Sequence, residues 1–518
     1  MRSIPDPASI QGGLVLSPER LDDWTAGVLR NRDRLLRGAY FGIPTEEIRM
    51  GLGVSTDRPV VVSGHQPVMM HPGLYAKPLT ASVVAARIGG LALHKVTDTD
   101  VPREWAFRFP GPSGVERTNP FFDASRQDVP YADQPVPSED GIATLLDRCS
   151  QQSTATIRKT LQGWREPFLA ALRSSRQWVE FHEKTLGLLD AVTGLDRSRL
   201  VSSAIFATPV FLRYAAAWLR SLDSLGAAYN GALDLYRREL SLRNAAEPSP
   251  DLRTEGEWRE APFWLALPGS PRESLWMKRM GPEEVLLKGG VSGREWKASW
   301  PGGVLKVEGE VRVWPKALPQ SLFVRLFLGD LFIHGTGGGR YERVNDLFFR
   351  AVFGEEPPLY GVVSATFRID EAERTEASKG LERQEHRLRW KRIFQQNPEY
   401  TVTRTGEWGQ ELDADLAENL RKWVAESGFQ KLVRDKEVCL ERLKDPQARS
   451  EAGRAIREIN RAMQDFLGPL LNVDFNAYES IRDAYQLLAE SYGWREYPFF
   501  LHDPGSFLDL RKRIETGI

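Results

Sequence analysis

A short segment, residues 59–100, limits the folds open to this chain more than any other part of the sequence. An apolar run at residues 60–62 ends in a polar loop, and a small-residue stretch of helical character follows it. After a Gly-Gly stop, a second short run ends in Asp98 and Asp100. This order is that of a βαβ unit, which builds parallel sheets covered by helices. The sequence therefore predicts an α/β fold with a Rossmann-like parallel-sheet core.

Polar residues cluster where the first strand of this unit ends. The loop at residues 63–77 carries two of the chain's seven histidines, His65 and His71. Ligands of parallel sheets bind beyond the carboxyl ends of the strands. Imidazoles in that place can donate to a phosphate or stabilise developing charge, so we predict both histidines as catalytic residues. The open alternative is a turn that caps the strand, with both imidazoles bonded to the backbone.

Three further residues of this loop and the following helix are predicted to bind substrate. Gly64 lets the backbone approach a ligand closely. Lys77 offers a point charge on a long stem. Tyr75 can stack against a ligand or donate a hydrogen bond to it.

Asp98 and Asp100 follow the second strand, two positions apart. Side chains at this spacing on an extended chain point to the same side. We predict both as catalytic carboxylates that act as acid or base, bind an amine, or hold Mg²⁺ through water. An N-cap pair or a solvated turn is an equally open interpretation.

A glycine-rich segment, residues 335–339, is the second candidate site. It follows an apolar run at residues 326–333, which predicts a strand, and precedes a predicted helix at 341–353. Glycines at a helix N-terminus expose backbone N–H groups that favour an anion. The segment is not a P-loop, because no Gly-Lys-Ser/Thr follows, and the arginine at position 340 breaks the dinucleotide fingerprint. The predicted anion-binding residues are His334, Gly335, Gly337, Gly338 and Gly339.

Composition narrows the classes of partner. Lysine and arginine total 69 against 70 for aspartate and glutamate, so net charge does not favour nucleic acid or an anionic membrane. With two cysteines and no Cys-x-x-Cys pair, the chain is predicted to be cytoplasmic and to lack a thiolate zinc site. No apolar run approaches the ~20 residues that cross a bilayer. The expected partner is a small-molecule substrate.

Shifts in composition predict three segments. Residues 1–370 form the α/β core, with a helical connecting insertion at about 142–245 and short strands over 250–330. Residues 371–470 are dense in Glu, Arg and Lys and are predicted to be helical. Residues 471–518 are rich in aromatic residues and are predicted to pack back on the core.

The charged helical segment carries a regular apolar seam. Ile456, Ile459, Met463, Phe466 and Leu470 follow one another at steps of three and four, which is the heptad pattern of coiled coils. With a turn near position 446, the pattern predicts an antiparallel coiled-coil hairpin. We expect the chain to form a homodimer through this hairpin.

The motifs of the first loop resemble those of the bacillithiol-biosynthesis cysteine-adding family, the BshC-type proteins. Gly64 and Gln66 match the ends of a strand-end Gly-Gln-Gln motif, and Tyr75 falls at the expected offset of a following Leu-Tyr pair. The two aspartates after the next strand match an Asp-His-Asp pattern whose central position is Thr99 here.

A later motif of the same family, Gly-Pro-Gly-Glu-x-x-Tyr, is similar to residues 335–341. Gly335, Gly337 and Tyr341 agree with it. The resemblance thus adds Gln66, which would position substrate, and Tyr341 to the predicted binding residues.

The resemblance implies a core akin to class I nucleotidyltransferases, with helical insertions and a protruding antiparallel coiled coil. It also implies a nucleotide-associated ligase that joins cysteine to a malyl-glucosamine, with ATP or ADP as the nucleotide, with or without Mg²⁺. Two alternatives are open. One is a non-catalytic dimeric assembly protein that retains a ligand pocket, and the other is a nucleotidyltransferase-like enzyme with a different substrate.

Overall fold

The computed structural model describes residues 14–17, 20–103, 106–111, 114–118, 121–369, 371–412, 414–425, 428–472 and 475–517. These residues form two compact units. The α/β unit comprises the described residues up to Gly111, Glu116–Ile369, and those from Trp494 onward. The helical unit comprises the described residues between 370 and 493, together with residues 114 and 115.

The strands are β1 (Leu14–Ser17), β2 (Ala39–Tyr40), β3 (Ile43–Pro44), β4 (Val60–His65), β5 (Leu91–Val96), β6 (Phe107–Gly111), β7 (Gly114–Thr118), β8 (Ser198–Val201), β9 (Thr254–Glu255), β10 (Trp258–Ala266), β11 (Glu273–Arg279), β12 (Glu284–Gly289), β13 (Glu295–Ser299), β14 (Lys306–Val307), β15 (Arg312–Pro315), β16 (Leu331–His334) and β17 (Tyr360–Ala365).

The helices of the α/β unit are α1 (Leu21–Arg37), α2 (Thr45–Gly51), α3 (Pro72–Arg87), α4 (Glu139–Gln152), α5 (Ala155–Arg173), α6 (Trp178–Thr193), α7 (Ser202–Phe206), α8 (Pro209–Arg220), α9 (Leu222–Glu239), α10 (Ala317–Phe323) and α11 (Thr336–Phe353). Those of the helical unit are α12 (Glu371–Gln396), α13 (Tyr400–Thr403), α14 (Thr405–Glu411), α15 (Ala414–Ala425), α16 (Phe429–Arg442), α17 (Arg449–Asn472) and α18 (Phe475–Tyr492). The last helix, α19 (Pro504–Thr516), belongs to the α/β unit.

A six-stranded sheet in the order β1-β17-β16-β4-β5-β8 forms the centre of the α/β unit. The five strands from β17 to β8 are parallel, and β1 is antiparallel to β17. This arrangement confirms the predicted α/β class and is compatible with a Rossmann-like core. The chain adds β5 and β8 on one side of β4, then returns to add β16 and β17 on the other. The strand order therefore reverses between β4 and β16, where parallel sheets form a ligand crevice.

The helix of the predicted βαβ unit starts earlier than its small-residue stretch suggested. The imidazole Nδ1 of His71 accepts a hydrogen bond from the backbone N–H of Gly73 at 3.1 Å, which caps α3. Proline at position 72 suits the first turn of a helix because its fixed φ is already helical. The helix therefore begins at Pro72, whereas the composition of residues 80–87 marked only its second half.

A seven-stranded antiparallel sheet lies in the chain between β8 and β16. Its order is β14-β13-β12-β11-β10-β15, with β9 beside β10. Four of the strands, β10, β12, β14 and β15, coincide with short apolar runs in the predicted strand-rich segment. Phe263, Leu275 and Leu287 of this sheet are fully buried and share one core with Phe323 and Phe327.

The apolar run at residues 326–333 is not a single strand. A π-helical turn, Val324–Leu328, continues from α10, and β16 begins only at Leu331. The predicted strand is therefore wrong over its first half, because an apolar run that is buried on all sides has no period to separate helix from strand. Helix α11 begins at Thr336, so Gly337, Gly338 and Gly339 form part of its first turn and do not precede it.

The predicted hairpin segment belongs, in the described residues, to a bundle of the seven helices α12 to α18. Helices α16 and α17 pack against each other across a short turn. Met463 of the heptad seam is fully buried in a core that contains Trp390, Phe394 and Phe429, and Ile459 and Phe466 of the seam pack against this core. The seam thus has intramolecular partners at these three positions. None of the helices in the described part of the chain is long and apolar enough to cross a bilayer.

The return of the chain to the α/β unit starts later than composition predicted. The described residues up to 493 belong to the helical unit, so the return begins at Trp494 and not at position 471. The backbone N–H of Phe499 donates to the carbonyl of Met70 at 2.7 Å. Helix α19 packs against α3 and α6. The final segment therefore closes over the loop that carries the predicted histidines.

Candidate functional site

A cavity of about 580 Å³ lies over the carboxyl ends of β4, β5 and β16. We call it the glycine lobe. The loop after β4, the tip after β5 and the first turn of α11 all contribute to its wall, so the predicted chain breaks converge on one crevice. The predicted site residues that line it are Gly64, His65, Gln66, His71, Lys77, Asp100, His334, Gly335, Gly337, Gly338 and Tyr341.

A second cavity of about 590 Å³, the aromatic lobe, shares part of this wall. Both lobes are lined by His65, Gln66, His71, Leu74, Asp100 and Glu496. The remaining wall of the aromatic lobe combines two arginines with apolar side chains, and it includes Arg103, Arg108, Met69, Phe107, Tyr131 and Pro498. The two lobes are therefore adjacent compartments separated by the strand-end histidines.

Each of the two predicted histidines uses one ring nitrogen for a backbone contact. Nδ1 of His65 lies 3.1 Å from the Gln66 carbonyl, which accepts its proton and leaves Nε2 as an acceptor. Nδ1 of His71 accepts from the Gly73 N–H, so its proton is on Nε2. Burial lowers the pKa of both imidazoles well below the ordinary value of 6.5. At neutral pH the site thus holds two neutral imidazoles of opposite tautomer.

Two buried lysines lie at the floor of the glycine lobe. Nζ of Lys77 donates to the Gly64 carbonyl at 2.8 Å. Nζ of Lys95 donates to the hydroxyls of Thr97 at 2.9 Å and Ser202 at 2.8 Å. Burial lowers the pKa of each ammonium from 10.5 to about 7. Lys95 was missed by sequence reasoning, although its register opposite Gly64 across β4 and β5 is the signal that places it here.

Asp100 connects three elements at the rim of the crevice. Its Oδ2 accepts from Nε2 of Gln66 at 2.9 Å. Its Oδ1 accepts from the Val101 N–H at 2.9 Å and from Nη2 of Arg272 at 2.5 Å. The Arg272 guanidinium lies 4.7 Å from the ring centroid of Trp264, which also lines the glycine lobe. The segment of the antiparallel sheet that carries Trp264 and Arg272 thus forms one wall of the glycine lobe. The sequence around the predicted motifs did not indicate this wall.

The prediction that Asp98 and Asp100 point to the same side is wrong. Strand β5 ends at Val96, so both residues lie in a turn where strand alternation no longer applies. Asp98 is buried, and its two oxygens accept from the backbone N–H (2.8 Å) and hydroxyl of Ser203. Burial raises its pKa. With the oxygens of both carboxylates already engaged, this pair does not fit Mg²⁺.

Tyr75 and Gly339 also lie away from the cavity wall. The Tyr75 hydroxyl is buried, within 3.1 Å of Asp190 Oδ1 and 2.6 Å of Thr193 Oγ1. Because α3 begins at Pro72, position 75 falls on the face that packs against α6. The N–H of Gly339 donates to the Gly335 carbonyl at 2.9 Å, inside α11. The predicted ligand contacts of these two residues are therefore corrected to structural ones.

A buried charge cluster supports His334 at the end of β16. Its Nε2 lies 3.4 Å from Oε1 of Glu342, whose Oε2 is 2.7 Å from Nη1 of Arg325. Burial lowers the pKa of His334 to about 4. Burial acts to raise the pKa of Glu342, but His334 and Arg325 hold it below its ordinary value. Glu342, a residue that sequence reasoning missed, thus lies beside the histidine ring, although Nε2 of His334 makes no hydrogen bond to it.

The first turn of α11 presents backbone donors to the glycine lobe. Its N-cap, Gly335, has no side chain to accept from the first amides. Thr336, Gly337 and Gly338 line the cavity. Unsatisfied N–H groups and the positive end of the helix dipole both favour an anion at this point.

Substitution of Gly338 by alanine is expected to weaken anion binding at this helix about tenfold. A Cβ at this position would lie 2.8 Å from Nδ1 of His334, so the ring or the helix turn must move. Gly337→Ala is the matched control, because a Cβ there meets nothing within 4 Å. Titration of both variants with inorganic phosphate measures the effect, and equal affinities would contradict it.

No protein-family model matches this chain, and no curated protein matches it. Within the part of the chain that the structure describes, no group of three or more His, Cys, Asp or Glu side chains is arranged to hold a metal ion. The fold and the site therefore define an α/β protein with a cation-rich ligand crevice at the point where the strand order reverses.

Proposed function

We propose that this chain is a ligase of the BshC type that binds a nucleotide or another phosphorylated ligand. In this proposal it joins an amino acid such as cysteine to a small sugar-linked acid, as in bacillithiol-type thiol biosynthesis. The observation that carries the proposal is the convergence of His65, His71 and the first turn of α11 on one cavity.

Support for a phosphorylated ligand comes from the charge of the glycine lobe. Lys77, Lys95, Arg272 and Arg495 all line it, together with the uncapped N-terminus of α11. Anions are favoured by such donors, and more strongly where water is excluded. The reversal of strand order between β4 and β16 is where class I nucleotidyltransferase-like cores would place a nucleotide.

Support for two substrates comes from the adjoining lobes. Amide formation joins an amine nitrogen to a carboxyl carbon, so the amine must lose a proton and the carboxyl must lose an oxygen. In the proposed arrangement the phosphorylated ligand lies in the glycine lobe and the second substrate in the aromatic lobe. The reacting atoms would then meet at the shared wall, where His65 and His71 lie.

The tautomers of the two histidines suit different parts of this reaction. The free Nε2 of His65 can accept the proton of the attacking amine. The protonated Nε2 of His71 can donate to the oxyanion that develops on the carboxyl carbon. Gln66 is held by Asp100 and would position the substrate between them. ATP, when bound, would supply the activation of the carboxyl group, because the departing carboxyl oxygen would be bonded to phosphorus and would leave with that phosphoryl group as the amide bond forms.

A thermal-shift panel with ATP, ADP and sugar phosphates tests the ligand. We expect stabilisation by several degrees, lost in the double variant His65→Ala, His71→Ala because both ring contacts disappear. His386→Ala, at an exposed histidine of α12, is the control. Incubation with ATP, cysteine and malyl-glucosamine, followed by mass spectrometry, tests the reaction.

Three outcomes are informative. An amide product that depends on both histidines supports the ligase. Release of pyrophosphate without an amide would replace it with a nucleotidyltransferase-like reaction. No stabilisation by any phosphorylated compound, with melting that depends on protein concentration, would favour a dimeric assembly protein instead.

A further inference from the structure

The two lysines of the glycine lobe are buried without a carboxylate partner among the described residues. Lys77 is 3% exposed and Lys95 is 2% exposed. Their hydrogen-bond acceptors are one carbonyl and two hydroxyls, all uncharged. Among the described residues, neither ammonium forms an ion pair with a carboxylate. Most buried lysines are paired, as Lys436 is with Glu399 at 2.7 Å in this protein.

The carboxylates around these lysines do not provide a counter-ion. Glu342 lines the same cavity but is held by Ser321 and Arg325, and Glu496 is exposed at its edge. Asp98 and Asp100 act on Lys95 at longer range. Their oxygens are already taken by Ser203 and by Gln66, Val101 and Arg272. The groups that face Lys77 are cationic or neutral: Lys95, and the imidazoles of His65, His71, His94 and His334.

Burial and mutual repulsion both disfavour the charged form of the two ammonium groups. A ligand with two negative charges favours the charged form of both lysines, since it supplies a counter-ion for each ammonium group. The α11 amides and Arg272 line the same cavity and add to the attraction.

We propose that Lys77 and Lys95 form a proton-coupled receptor for a doubly charged phosphate group, and that each lysine takes up a proton as the anion enters. The inference rests on the proposed function in that it assigns the phosphate of its ligand to this pair. The class of ligand is a terminal phosphate or phosphomonoester, which carries two charges at neutral pH. Diesters and single carboxylates would bind less well.

The direction of the pH effect follows from the charge states. With a pKa of about 7, each free lysine is mostly protonated at pH 6 and mostly neutral at pH 8. Only the protonated form holds the anion, so apparent affinity scales with the protonated fraction. Affinity is therefore expected to fall between pH 6 and pH 8 by roughly 10-fold if one lysine is coupled, and by roughly 100-fold if both are.

Titration of the full-length protein with sulfate tests the proposal. Sulfate keeps two charges throughout this pH range, so any pH dependence belongs to the protein. Calorimetry in buffers of different ionisation enthalpy at pH 8 is expected to show uptake of one to two protons. An affinity that does not change with pH, or no sulfate binding at pH 6, would overturn the proposal.

Lys77→Met and Lys95→Met separate the two groups. Each variant is expected to lose about one proton of uptake, and Lys159→Met, at an exposed lysine of α5, is the control. Uptake that persists when both lysines are methionine would assign it to the histidines and overturn the proposal. If a methionine variant does not fold, NMR titration of ¹³C-dimethylated lysines in the wild-type protein answers the same question. We expect two lysine signals with a titration midpoint near pH 7, and we expect both midpoints to rise when sulfate is added. A spectrum without two such signals refutes the inference.

The outcome is distinguishable from that of the proposed function. Binding of nucleotides and sugar phosphates without proton uptake would leave the ligase proposal intact and remove this one. Proton-coupled sulfate binding without any amide product would support this inference and contradict the ligase proposal.

Discussion

Asp330→Ala is expected to lower the free energy of unfolding by about 3–5 kcal/mol. The side chains of Asp330 and Arg49 are fully buried, and Oδ1 of the aspartate lies 2.7 Å from Nη2 of the arginine. Oδ2 of Asp330 accepts from the backbone N–H of Val60 at 2.7 Å. Removal of the carboxylate leaves a buried guanidinium and a buried N–H without their acceptor, which is the costly way to break an ion pair.

The same contact links the two strands that flank the crevice. Asp330 precedes β16 and holds the first residue of β4, so its loss should also weaken ligand binding. Urea unfolding measures the change in stability. Asp33→Ala is the control, because the Asp33–Arg37 pair is exposed on α1 and is expected to contribute less than about 1 kcal/mol. A loss of less than about 1 kcal/mol for Asp330→Ala would show that the buried pair contributes no net stability.

Acidification from pH 7 to pH 5 is expected to destabilise the α/β unit by about 4 kcal/mol through two buried histidines. Burial lowers the pKa of His334 and of His502 to about 4, against 6.5 in an unfolded chain. Between these values the unfolded state binds more protons than the folded state. Stability is therefore complete above pH 6.5 and is lost as the pH falls toward 4. Each histidine contributes about 2 kcal/mol of this loss by pH 5.

His502→Gln isolates one of these contributions away from the crevice. Nε2 of His502 lies 3.1 Å from the Tyr497 carbonyl, and the glutamine amide can replace its donor. The variant should lose about 2 kcal/mol less than the wild-type protein between pH 7 and pH 5. His386→Gln, in the helical unit, is the control. Equal pH slopes for the wild-type protein and His502→Gln would contradict the assignment.

The sequence predicted the location of the site better than the roles of its residues. A polar loop after an apolar run indicates a strand end, and all strand ends of a parallel sheet meet at one edge. That rule alone brought His65, His71 and Gly335 to one cavity. The rule holds because the two strands of a βαβ unit run in the same direction, whatever the details of packing.

The errors arose where a local pattern depended on a boundary. Asp98 was predicted to share a side with Asp100, but the strand ended at Val96 and the alternation ended with it. Tyr75 was predicted to contact ligand. Capping by His71 starts α3 earlier in the chain, at Pro72, so Tyr75 lies inside the helix on a buried face. Element boundaries depend on single capping contacts, which composition does not reveal.

Two of the missed residues, Arg272 and Arg495, come from parts of the chain far from the motifs. Arg272 reaches Asp100 from the antiparallel sheet, and Arg495 donates to the Ser364 hydroxyl at 2.9 Å from the returning segment. Glu342 lies within α11 but acts on His334 only through the folded geometry. No spacing rule joins such residues, because their proximity depends on how distant elements pack together.

The order in which this chain leaves the ribosome has a consequence for its activity. The pairing of β4 with β16 joins Val61 to Leu331, and the cavity wall is complete only with Glu496 and Pro498. A nascent chain therefore carries the βαβ unit long before it can hold a ligand. The half-made protein must keep its apolar strands from aggregating through most of translation, and a chaperone that shields β4 during this interval should raise the yield of active molecules.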